Sequence, residues 1–145
     1  MNISSNSIEI KAKLKNCGIN INRLSKLNYA CALGNTRDVD FLNKKNYQIN
    51  NEDEIGMTPL ILVCIIGYTR IIEFLIENGA NINKPNKYGT TPLHVAACYG
   101  NLKTVQILLE YGADKFAEAD GGITAFDMTV NKNTDSYFKI AELLK

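Results

Sequence analysis

The sequence predicts an all-α repeat protein, a solenoid of helix-turn-helix units stacked side by side, and three observations lead there. The stretch Gly89-Thr90-Thr91-Pro92-Leu93 recurs 33 residues earlier as Gly56-Met57-Thr58-Pro59-Leu60. It recurs 33 residues later, in weaker form, as Gly122-Ile123-Thr124-Ala125-Phe126. A fixed period of this length marks a repeat architecture. The apolar positions keep the same period: Leu27, Ala30, Cys31, Gly34, Val39, Phe41, Leu42, Ile49 and Asn50 map onto Leu60, Val63, Cys64, Gly67, Ile72, Phe74, Leu75, Ile82 and Asn83. Finally, the apolar residues of each unit fall at helical spacing between glycines suited to ending a helix.

Residues 1–7 are polar and read as a disordered tail. Residues 8–16 read as a short amphipathic helix, with Ile8 and Ala12, then Ile10 and Leu14, as i,i+4 pairs. Gly18 suits the left-handed conformation that ends it. Residues 8–19 are therefore expected to be an N-terminal capping half-repeat that covers the end of the core; a loosely docked arm is the alternative. Full units follow at 20–52, 53–85 and 86–118, and a C-terminal capping repeat at 119–145, which carries an insertion near Asn131–Ser136. Arg23 stands where the other units have a turn glycine.

Within a unit, the turn glycine permits positive φ and the threonine after it caps a helix. Proline then fills the first helical position, where its missing N–H costs nothing. His94 after Thr91, Asp127 after Thr124 and Asn28 after Ser25 have capping-box spacing. The first helix ends at Gly34, Gly67 or Gly100, and the second at Asn46, Gly79 or Gly112. Neither helix buries its apolar face alone, so about three stacked units are needed for stability.

Composition excludes several function classes. With 46% hydrophobic and 21% charged residues the chain reads as a soluble globular domain, and its net charge of +1 supplies no field for nucleic acid or an anionic membrane. The longest apolar run, Leu60 to Gly67, is too short to span a bilayer. The N-terminus lacks the basic-then-apolar order of a secretory signal. Cys17, Cys31, Cys64 and Cys98 follow the repeat and form no CxxC pair, which suits small core thiols in a reducing compartment. With His94 the sole histidine, no metal, cofactor or catalytic set is expected. Asp120-Gly121-Gly122 lacks phosphate-loop spacing. Lys11, Lys13, Lys15, Arg23 and Lys26 read as a solvated cap, without the interleaved aromatics that stack on bases.

The chain resembles the ankyrin-repeat family. The third unit carries the pattern almost whole in Gly89-Thr90-Thr91-Pro92-Leu93-His94-Val95-Ala96-Ala97 and Leu108-Leu109-Glu110-Tyr111-Gly112-Ala113-Asp114, and the second in Thr58-Pro59-Leu60 and Leu75-Ile76-Glu77-Asn78-Gly79-Ala80-Asn81-Ile82-Asn83. Departures fall in the outer units: Arg23 for glycine, Ala125 for proline and Asp127 for histidine. The resemblance implies an L-shaped stack with short β-hairpin or turn fingers on one side. It also implies a non-catalytic role in binding another protein through a concave face.

Carried over position by position, that face would comprise Glu54, Ile55, Met57, Ile65 and Ile66 from the second unit and Lys87, Tyr88, Thr90, Cys98 and Tyr99 from the third. Ala32 and Leu33 would come from the first, and Asp120, Gly121, Ile123, Asn131 and Lys132 from the fourth. Leu33, Ile66 and Tyr99 recur at one repeat position and are expected to align as an apolar stripe, of the kind that marks an interaction site. The alternative is that Ile65 and Ile66 turn inward. The expected protein is a monomeric cytoplasmic adaptor, inhibitor or assembly subunit. The AT-rich composition, heavy in Asn, Ile and Lys, keeps open an effector acting in a host cell. A self-associating structural element is the remaining alternative.

Overall fold

A computed structural model describes residues 3–45 and 47–145. Asn46, the expected terminator of the first unit's second helix, lies outside them, as do residues 1 and 2. Eight α-helices run through the described residues: α1 (Ile3–Asn16), α2 (Lys26–Ala32), α3 (Thr36–Lys44), α4 (Pro59–Ile66), α5 (Thr69–Glu77), α6 (Pro92–Cys98), α7 (Leu102–Glu110) and α8 (Asp135–Leu144). From α2 onward they pair as α2–α3, α4–α5 and α6–α7. The inner helices α2, α4 and α6 pack in one row, the outer helices α3, α5, α7 and α8 in another. A single apolar core runs between the rows.

The expected caps form. Thr58 and Thr91 accept the backbone N–H groups of Ile61 and His94, and Pro59 and Pro92 open α4 and α6. Thr91 and His94 complete a reciprocal capping box. Ser25 caps α2 through the Asn28 N–H at 3.1 Å, but Asn28 does not reciprocate, and its Oδ1 is buried with no hydrogen-bond partner among the described residues.

The inner helix of the last unit is shorter than expected. It is a single 3₁₀ turn, Asp127–Thr129. Asp127 closes the box with Thr124, accepting its N–H at 2.8 Å and its hydroxyl at 2.7 Å. These hydrogen bonds hold the Asp127 carboxyl below its ordinary range. Beyond the turn Val130 is extended and Asn131 adopts a left-handed φ of 66°, so the chain leaves the helix before Lys132. Ala125, unlike proline, does not preset the helical φ at this start.

The N-terminal segment departs further from expectation. α1 begins at Ile3, so Ile3–Ser7, expected in a disordered tail, are helical. At the other end Gly18 has a φ of 74°. Its N–H bonds the Lys15 carbonyl and the Ile19 N–H bonds the Leu14 carbonyl, a Schellman termination in which the flanking Leu14 and Ile19 are both buried.

This helix does not stack on the end of the solenoid as a capping half-repeat would. Cys17 Sγ touches the Tyr99 hydroxyl, two units away from the end, and Lys13 Nζ lies 5.5 Å from the Tyr99 ring centre. The connector Gly18–Ile19 and the first residue of the first unit, Asn20, then line a cleft with Glu52, the last residue of that unit, and Asp53, Glu54 and Ile55 of the second. The end that α1 was expected to cover is an open groove lined by Leu24, Tyr29, Leu33, Phe41 and Leu42. The physical reason is the position of the apolar ridge: Ile10 and Leu14 are buried, and Cys17 half-buried, at i, i+4 and i+7, whereas Ile8 and Ala12 are exposed.

Candidate partner-binding face

The fingers are tight turns built by one recurring side-chain device. Asp53 Oδ1 accepts the N–H groups of Ile55 (3.0 Å) and Met57 (2.9 Å). Asn86 Oδ1, one period on, accepts those of Tyr88 (2.9 Å) and Thr90 (3.0 Å). Such side chains mimic a backbone turn. Each finger is closed by two backbone bonds: Asp53 N–H to the Met57 carbonyl and Gly56 N–H to Asp53, Asn86 N–H to Thr90 and Gly89 N–H to Asn86, and Ala119 N–H to Ile123 and Gly122 N–H to Ala119. Ala119 and Ile123 form an isolated antiparallel bridge.

Neighbouring fingers are tied tip to tip. Lys87 N–H donates to the Ile55 carbonyl at 3.1 Å, and Asp120 N–H to the Tyr88 carbonyl at 2.9 Å. The backbones come so close that a Cβ on Gly89 would sit 3.0 Å from the Ala119 Cα. His94 adds a further tie. Its Nδ1 accepts the Thr91 N–H at 3.2 Å, and its Nε2 lies 2.9 Å from the Ile123 carbonyl, which only accepts, so the proton resides on Nε2. The imidazole is buried and fully used in holding α6 to the next finger, so it serves structure here.

A second set of repeated ties lies on the loops after the outer helices. Asn50 accepts the Asn81 N–H at 2.7 Å and donates to the Gly79 carbonyl at 3.0 Å; Asn83, one period on, accepts the Asp114 N–H at 2.9 Å. The repeated Ile-Asn pairs at 49–50 and 82–83 were the sequence signal for this latch. Asn101 caps the Cys64 carbonyl at 2.8 Å, and Ser136 and Tyr137 cap the carbonyls of Gly100 and Cys98 at 2.7 Å each.

The residues expected on the face divide into three groups. Glu54, Lys87, Tyr88, Asp120 and Ile123 are exposed on the fingers, with Ile55 and Thr90 half-buried beside them; Tyr88 keeps 56% of its surface and Ile123 39%. Met57 and Ile65 belong instead to the core, at 6% and 3% exposure. α4 lies between α2, α6 and α5, and all of its residues from Pro59 to Ile65 are buried. A helix apolar all round has no free face at that point. Met57 turns inward beside the buried Gly56 and Thr58. Ala32 is likewise buried, and Lys132 lies past the last inner turn, its Nζ 5.6 Å from the Tyr137 ring centre.

The expected stripe is interrupted. Leu33 is half-buried and lines the open end groove; Ile66 is half-buried against the core; Tyr99 stays 38% exposed and meets α1. Burial, and next the contact with Cys17, raises the Tyr99 hydroxyl above its ordinary pKa. The two buried thiols are quiet: burial pushes Cys31 up to about 12 and Cys64 higher still, and thiols so placed are poor nucleophiles. Among the described residues no cluster of metal ligands occurs, and no helix is long and apolar enough to cross a membrane.

The sequence matches the family described as Ankyrin repeats (3 copies) over residues 27–119, well over half of the chain. The chain is an ankyrin-repeat protein. No match was found among curated proteins. The matched residues run from the second residue of α2 through α7 to the first residue of the last finger. Ankyrin repeats are in general modules of protein–protein interaction.

Proposed function

We propose that this chain is a non-catalytic binding module that holds a protein partner along its row of fingers and the adjoining concave side. The observation that carries the reading is the tip-to-tip pairing of the fingers. It supports a rigid, evenly spaced row in which Glu54, Lys87 and Asp120 alternate in charge while Tyr88 and Ile123 supply apolar anchors. Aromatic and aliphatic anchors within a polar rim are what an interface core requires. An adaptor, an inhibitor or an assembly subunit would use such a row in the same way. Four free cysteines, two of them deeply buried, suit a reducing, cytoplasmic setting.

The test is affinity capture from native lysate with wild type and a Tyr88→Glu, Ile123→Glu variant of equal helicity by circular dichroism. The expected outcome is a saturable protein partner held by wild type and weakened at least tenfold by the variant. Equal retention of every captured protein would remove the fingers from the interface.

A further inference from the structure

We propose that α1 is a displaceable occupant of the concave face, and that this face is shaped to receive a basic amphipathic helix: α1 at rest, a partner's helix in its place when bound. The inference rests on the reading of the concave side as partner-binding and adds what kind of partner fits it.

Four observations carry it. α1 presents Ile10, Leu14 and Cys17 as one ridge toward the repeats, while Ile8, Glu9, Lys11, Ala12, Lys15 and Asn16 face water; laying an amphipathic helix into a groove at i, i+4 and i+7 is a recurring mode of protein recognition. Second, the helix sits where a partner is expected, with Cys17 and Lys13 against Tyr99. The pairing of Lys13 with the ring is a cation–π contact. Charge follows the same sense at the level of the surface: Lys11, Lys13 and Lys15 belong to α1, and the cleft beside its connector is lined by Glu52, Asp53 and Glu54, of which Glu52 pairs with Lys84 and Glu54 with Arg23.

The fourth observation is that α1 is separable. Among the described residues no backbone hydrogen bond joins it to the repeats, whereas the repeats are tied to one another by the finger and Asn50 or Asn83 bonds. Its connector begins at Gly18, a residue with open space around the Cβ position. Its docking is thus by side chains alone, with Ile10 and Leu14 buried in the shared apolar core and Cys17 and Lys13 against Tyr99.

The probe is a fluorescein-labelled synthetic peptide of residues 2–19, titrated by anisotropy against full-length chains. In wild type the site is filled in cis. In full-length Leu14→Asp, or Ile10→Asp as an independent variant, α1 is released and the site is open. The expected result is peptide binding at least tenfold tighter to the released variants than to wild type, falling at least tenfold again when Tyr99→Ala is added. Cys17 should also react with a thiol reagent at least tenfold faster in the released variants. The proposal is overturned if folded released variants bind the peptide no better than wild type, or bind it regardless of Tyr99. It is equally overturned if both variants lose their repeat helicity, which would make α1 an integral part of the core. Because the peptide is the ligand, the result is independent of any cellular partner: failure of partner capture with success here leaves α1 as the occupant, and the reverse removes it.

Discussion

At the scale of the residue, His94 shows how one buried polar side chain is made affordable. Burying an imidazole leaves two ring nitrogens to satisfy, and a lost partner costs about 1–3 kcal/mol. Here one nitrogen takes the Thr91 N–H and the other gives its proton to Ile123, so a single ring both caps α6 and anchors the next finger. His94→Ala removes both bonds and opens a cavity. We expect a loss on the order of 2–4 kcal/mol, read as a lower midpoint in urea unfolding. A change within error would mean the neighbours satisfy each other without the ring. Unit two has Ile61 at the equivalent position. Its cap is consequently one-sided, with Thr58 accepting the Ile61 N–H at 3.2 Å and nothing returning.

At the scale of the element, the finger turns are set by glycine for two reasons that can be separated. Gly89 has a φ of 70° and faces the Ala119 backbone at 3.0 Å, whereas Gly112 has a φ of 85° and open space around it. Alanine at either position bears the left-handed cost of about 1–2 kcal/mol; at Gly89 it must also push two fingers apart, which breaks register with the Asp120–Tyr88 bond. Gly89→Ala is therefore expected to destabilise by roughly 1–3 kcal/mol more than Gly112→Ala, measured on the two variants under one set of unfolding conditions. Equal losses would show that the fingers have room to separate. The short turn Asp127–Thr129 belongs to the same scale. A capping box starts a helix, but the residues that follow must continue it, and here Val130 and Asn131 leave helical backbone geometry at once.

At the scale of the whole molecule, the stack ends are unequal. The C-terminal end has α8 lying on α7, with Ile140 and Leu144 buried. The N-terminal end keeps an apolar groove with Tyr29 and Phe41 at 43% and 58% exposure, because the helix that would cover it packs beside Tyr99 instead. Such a groove is the surface on which a self-associating form would rely. Lys26 and Asp38 line it as well, and charged residues of this kind oppose a dry contact between copies. We expect a monomer by light scattering at low micromolar concentration. A stable dimer there, dissociated by Phe41→Glu, would favour self-association instead.

The sequence by itself determined the repeat, its register and its class. Thr91-Pro92-Leu93-His94 specifies a cap, a first helical residue and an apolar face within four positions, and each acts through neighbours one helical turn away. The same local chemistry made the finger positions legible, since a residue at a turn tip between two glycine-punctuated elements faces water wherever the unit is placed. Only the tertiary structure decided which apolar residues were left over for a partner. Met57 and Ile65 stand at positions that face outward in the family pattern, yet both lie in the core: Ile65 because α4 is enclosed by α2, α5 and α6, and Met57 because it turns inward beside the buried Gly56 and Thr58. The placement of α1 was also beyond local reading. Its ridge of Ile10, Leu14 and Cys17 states that it must bury one face, but two apolar surfaces were on offer, the end groove and the surface beside Tyr99. Hydrophobic burial is non-directional, so the choice between them falls to contacts between residues as far apart as Cys17 and Tyr99, which no spacing along the chain encodes.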